Sequence, residues 1–158
     1  MLKVMNALVA LSILFLIIGC GRPGGNATVP QAQPASASDV DIGDHIVHFS
    51  AQSTDQLEPD VARAYGIVRS KNRVMLTVSV LKEGTTTVIP AEVTVRTVNL
   101  AGQLKNVTMR KIQEQEAIYY IGETAVANRE TLVFNISITP EGATKASDVR
   151  FTRKFYTN

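Results

Sequence analysis

The chain has 158 residues, 45% of them hydrophobic, no tryptophan and a formal charge of +2, an ordinary composition that excludes wholesale disorder and a multispanning membrane protein. Lys3 and Arg22 account for the excess charge, so the stretch from Asp39 onward carries as many acidic as basic side chains and has no global field to draw nucleic acid or anionic lipid. Cys20 is the single cysteine, so the folded part holds no internal disulfide and depends on its hydrophobic core.

Lys3 gives a short positive start, and residues 7–18 form an almost unbroken apolar run, ALVALSILFLII. About 12 residues are too few to cross a hydrocarbon core of roughly 30 Å as a helix, and they suit the apolar core of a signal peptide. The run ends in Ile17-Ile18-Gly19-Cys20, which resembles the lipobox of bacterial lipoproteins: an aliphatic residue, a small residue, then the cysteine before which signal peptidase II cuts. That resemblance implies a leader at 1–19, a diacylglyceryl thioether on Cys20 and an acylated (palmitate-type) new N-terminus, which together supply the two or more chains that stable anchoring requires. Gly21 in place of aspartate implies, under the enterobacterial sorting scheme, delivery to the outer membrane facing the periplasm. Residues 20–38 turn to Gly, Pro, Ala, Ser, Gln and Asn with one charge, a segment that cannot offset its ordering entropy and reads as a flexible tether. As a random coil of about 18 residues it would hold the domain roughly 20 to 25 Å from the lipid on average.

From residue 39 to 158 one domain is expected, of the usual size for a single core. Near-strict alternation of apolar and polar residues, the period of half-buried strands, predicts seven strands at 42–51, 74–82, 88–99, 104–112, 117–122, 131–139 and 149–156. Val74, Leu76, Val78 and Val80 share one face of the second, and Leu132, Phe134, Ile136 and Ile138 one face of the sixth; both read as central core strands. Glu83-Gly84, Ala101-Gly102 and Pro140-Glu141-Gly142 have the chemistry of reversing turns. Pro90 points to an edge or a bulge near the start of the third strand. One short helix is predicted, opening at Pro59 with Asp60 in its first turn and stopping at Gly66. Seven short strands with no crossover helix predict an all-β, immunoglobulin-like antiparallel sandwich rather than a closed barrel.

Three stretches carry a family likeness: His45-Ile46-Val47-His48-Phe49, VARAYGIVRSKNRVMLTVSVL over 61–81, and Ala117-Ile118-Tyr119-Tyr120-Ile121-Gly122-Glu123. They resemble a family of small gammaproteobacterial periplasmic proteins known as a domain of unknown function. The resemblance implies a periplasmic β-domain without an assigned activity. Relatives often carry a plain cleavable leader, from which the lipobox departs.

Within that signature Arg69, Ser70, Lys71, Asn72 and Arg73 fall in the loop between the helix and the first central strand, where binding residues are often presented. The alternative is that Ser70 and Asn72 make turn hydrogen bonds and the basic side chains are solvated. Ser70-Lys71 lacks the three-residue spacing that serine acyl-enzyme chemistry needs on a helix. Tyr119 and Tyr120 point to opposite faces, so one ring is buried and the other exposed; Tyr120, with Glu123 and Tyr156 nearby, is the candidate for a partner surface. His45 and His48, three apart on a strand, project to opposite faces and close on one metal only across a bulge, leaving Met75 or Met109 as further donors.

No nucleophile, base and acid constellation has a defined spacing, and no cofactor is implied. The sequence therefore predicts a non-enzymatic interaction module: an envelope lipoprotein, held to the membrane through Cys20, that binds another envelope protein by the 69–73 loop or a sheet edge. Alternatives are a periplasmic metal or small-ligand carrier using His45, His48 and a methionine, and a cell-wall-binding domain.

Overall fold

The computed structural model describes residues 38–158; the predicted leader, Cys20 and all of the linker but its last residue lie outside the described residues. Alternation becomes nine strands: β1 (Ser38–Asp41), β2 (His45–Ser53), β3 (Arg73–Lys82), β4 (Ala91–Asn99), β5 (Leu104–Lys105), β6 (Arg110–Glu114), β7 (Ala117–Ala125), β8 (Thr131–Pro140) and β9 (Ser147–Lys154). Two sheets form, in the orders β1-β2-β3-β7-β6 and β5-β4-β8-β9, and every pairing is antiparallel.

The rows read from the sequence meet at the centre of this sandwich. Val74, Leu76, Val78 and Val80 of β3 and Leu132, Phe134, Ile136 and Ile138 of β8 are all 1% exposed or less, and full burial of such a side chain is worth about 1.5 to 3 kcal/mol. Phe151 of β9 stacks on Phe134 and tilts against Phe49 of β2, each at 4.7 Å between centroids, tying both sheets together.

Seven strands were predicted, and seven of the nine have five residues or more; the other two, β1 and β5, are short. Two predicted runs change sheets midway. In 88–99, Val88 bridges Leu81 of β3 and the Ile89 amide donates to Val80, whereas from Ala91 the chain pairs with β8 in the other sheet. Pro90 stands at the crossing, where no ladder needs its missing amide proton. The run 104–112 likewise splits, β5 joining β4 and β6 joining β7. Residues 107–109 cross the inner side of β7 so closely that a Cβ on Gly122 would lie 2.6 Å from Met109 Sδ and from Val107 Cγ1, and 3.1 Å from the Thr108 carbonyl oxygen. Only glycine admits that passage.

The helix α1 (Pro59–Ala64) begins with its proline and acidic first turn as expected. It ends in a Schellman closure: the Ile67 amide donates to Ala62 at 2.8 Å and the Gly66 amide to Arg63 at 3.1 Å, with Gly66 at φ +64°. Leu57, Ala62 and Ile67 then pack on Met75 of β3 and Ile121 of β7 in a second, smaller core. Those two residues lie on the outer face of the five-stranded sheet, so α1 covers part of the surface that would otherwise face water.

Candidate functional site

The 69–73 loop is a tied-down turn. Thr54, fully buried, lies in a 3-10 turn, Thr54–Gln56, directly after β2. Its hydroxyl proton is offered to the carbonyls of Val68 at 2.8 Å and Ser70 at 3.1 Å, and its oxygen accepts the Ser70 amide at 2.9 Å. Ser70 Oγ accepts the Asn72 amide at 3.1 Å, and the Asn72 carbonyl accepts the Val126 amide at 2.9 Å. Arg69 spends a guanidinium proton on the Asp55 carbonyl at 2.6 Å. Arg73 opens β3 and reaches Glu123 of β7, Nη2 to Oε2, at 3.3 Å, so two of the predicted site residues pair with each other. Lys71 is exposed and makes no ion pair among the described residues. The turn hydrogen bonds expected at Ser70 and Asn72 are present, and Arg69 and Arg73, both open to solvent, also bond to protein.

Tyr120 requires a correction. Its register partner is Val78, which belongs to the core row of β3, so the ring points between the sheets and is 6% exposed. Its hydroxyl accepts the Ala91 amide at 2.7 Å, pinning the start of β4. Tyr119 is the exposed member, at 38%. Tyr156 is exposed as well, with Lys154 Nζ 5.5 Å from its ring centroid. The sequence could not choose between the adjacent tyrosines because β7 is apolar on both faces: Ile118 and Tyr120 face the main core and Ile121 faces α1.

The metal candidates do not converge. His48 lies on the outer face, paired with Asp39 through Nδ1, whereas His45 falls on the parity of the core residues Val47 and Phe49, beside Asp44 at 3.7 Å. Met75 shares the outer face with His48, but His48 pairs with Ser79, four residues or roughly 13 Å along the strand from Met75. Met109 packs against the main core. No group of three or more His, Cys, Asp or Glu side chains that could hold a metal ion occurs among the described residues.

What the structure adds is a groove beside α1 of about 250 Å³. Val61 and Tyr65, four apart, form one wall; Met75 and Ile121 form the floor; Ile112, Glu114 and Tyr119 form the far wall. Tyr65 is gripped from both ends by β6. Its carbonyl accepts from the Arg110 guanidinium, and its hydroxyl donates to the Glu114 carboxylate, a contact that pushes the phenol above its ordinary value of 10.0, with burial and the Glu114 charge acting in the same direction. Sequence reading missed this site, although one signal was present: Met75 and Ile121 are apolar at positions where alternation demands a polar residue, the mark of a covered outer face.

Residues 39–158 match the family described as Domain of unknown function (DUF4426). No curated protein matches the chain. Among solved structures, a DUF4426 family protein of Pseudomonas aeruginosa PAO1 is 30% identical with a TM-score of 0.68, the alignment covering 77% of this chain and 96% of that one. A copper-bound variant of FetP from uropathogenic Escherichia coli strain F11 is 15% identical with a TM-score of 0.56, over 77% of this chain and 96% of that one. FetP as isolated, after recombinant expression in the periplasm of E. coli, gives 16%, 0.55, 77% and 95% in the same terms. At such identity the FetP likeness concerns the fold alone. The match over the entire sandwich, together with the Pseudomonas structure, shows that the chain belongs to the DUF4426 family.

Proposed function

We propose that this DUF4426 domain is a non-enzymatic interaction module of the bacterial envelope, tethered through lipid on Cys20 to the outer membrane facing the periplasm, that grips another envelope protein in the groove beside α1. The groove carries the proposal. It is apolar on its floor, flanked by Val61 at 41% and Tyr119 at 38% exposure, and α1 is joined to β3 by residues 65–72, whose backbone is held by Thr54. A preformed apolar recess with aromatic walls is what a partner's anchoring side chain needs, because little ordering entropy is left to lose on binding.

Apart from Lys71, the polar groups of the loop bond to the surrounding protein, Arg69 to Asp55, Ser70 to Thr54 and Arg73 to Glu123, which supports a structural turn beside the groove. The lipobox supports the anchor, and the likeness to a protein expressed in the periplasm supports the compartment. A copper-carrier reading, prompted by the copper-bound FetP variant, finds no donor set among the described residues, where His45 and His48 lie on opposite faces of β2.

The test is crosslinking in living cells with a photoreactive residue at Val61 or Lys71 of the full-length lipidated protein, and at Thr94 on the other sheet as a control. A discrete protein adduct from Val61 and none from Thr94 is expected, and its loss in a Cys20→Ala form would show that anchoring matters. Folded protein that yields no adduct from Val61 or Lys71 overturns the proposal.

A further inference from the structure

The groove has one ionised wall, and its sign selects a partner. Among the described residues Glu114 is the single charged one lining it, and it is exposed at the end of β6. Glu114 makes no ion pair among the described residues; Arg110 donates to the Tyr65 carbonyl and Arg63 pairs with Asp60 at 3.1 Å. Tyr65 and Tyr119 stand on opposite walls, one from α1 and one from β7, and the faces of such rings attract cations. Below them the floor offers Met75, Ile112 and Ile121, an apolar bed for the methylene stem that lysine and arginine bury while keeping the charged head outside.

We infer that the groove receives a basic side chain of the partner, its stem on Met75 and Ile121, its cation between the two tyrosines and against Glu114. This rests on the interaction reading above and gives it a chemistry. A space of 250 Å³ has room for one long side chain and not for a helix, so the partner presents a single lysine or arginine from an extended segment or loop. An acidic tip would be repelled by Glu114, and an aliphatic tip would leave the Glu114 charge and the ring faces without a cation.

The experiment uses the full-length protein in nanodiscs of neutral phosphatidylcholine, titrated with three capped pentapeptides, Gly-Val-Lys-Val-Gly and its counterparts with norleucine or glutamate at the centre. Norleucine keeps the stem of lysine and removes the charge. The lysine peptide is expected to bind about tenfold more tightly than the norleucine peptide, shifting the ring resonances of Tyr65 and Tyr119, and Glu114→Gln should remove most of that preference. Equal or tighter binding of the norleucine peptide overturns the inference, as does a lysine preference that survives Glu114→Gln or a lysine peptide that does not bind at all. In each of those cases a Val61 adduct in cells leaves the interaction module standing with different chemistry; loss of that adduct as well removes both.

Discussion

The two sheets differ in what covers their outer faces. On the four-stranded sheet two adjacent outer rows are polar, Arg96, Asn135 and Arg150 in one register line and Thr94, Ser137 and Asp148 in the next, around a shallow depression of about 350 Å³, and the row beyond Arg96 pairs Val98 with Val133. Over those two rows the alternation is that of an antiparallel sheet with one wet face. On the five-stranded sheet the same alternation fails at Met75 and Ile121, which are 8% and 4% exposed because α1 lies on them. At Met75 and Ile121 the break in alternation, rather than the polar signature loop, marks the place where a helix has been added to the sandwich.

This contrast is open to attack by mutation. The largest effect is expected from Ile121→Ala, which removes the floor of the groove and should cost about 2 to 4 kcal/mol, while Thr94→Ala on the other face should stay within about 0.5 kcal/mol; chemical denaturation of both variants decides it, and equal losses would end the distinction. Thr54→Val is next. It keeps the shape but strips the Ser70 amide of its acceptor, at a cost of about 1 to 3 kcal/mol, and hydrogen exchange should show faster exchange at Ser70 with the four-stranded sheet unchanged.

The smallest effect separates the halves by pH. At the end of the four-stranded sheet Glu130 accepts from Lys105 Nζ at 2.8 Å, from Asn99 Nδ2 at 2.9 Å and from the Ala127 amide at 2.8 Å. Burial alone would raise its pKa, but these donors outweigh burial and hold it below the ordinary 4.5. A carboxylate with a depressed folded pKa stabilises fully above its unfolded value, and that contribution is lost as pH falls through the folded value. The melting temperature should therefore decline below pH 4.5 more steeply in the native protein than in Glu130→Gln. Parallel profiles would show that the Glu130 network carries no acid sensitivity.

Much of this was legible beforehand. The rows of β3 and β8, the start and stop of α1, and the reversals at Gly84, Gly102 and Gly142, all of them at positive φ, follow from parity and turn chemistry, which act over a few residues. The site was far less legible. Thr54 holds the signature loop from 14 to 16 residues upstream, and nothing in Arg69 to Arg73 announces that partner. Glu114 and Tyr119 reach Tyr65 only because β6 pairs with β7 beside α1.

By itself the sequence determined the strand periods, the helix caps, the turns and the family likeness, since each depends on neighbours in the chain. Tertiary structure alone decided that 88–99 and 104–112 each change sheets, that Tyr120 is buried and Tyr119 exposed, that the histidines stay apart, and that an acidic, aromatic groove forms beside α1. Sheet assignment and face coverage are set by contacts between residues far apart in sequence, and an alternating pattern looks the same whichever sheet its strand joins.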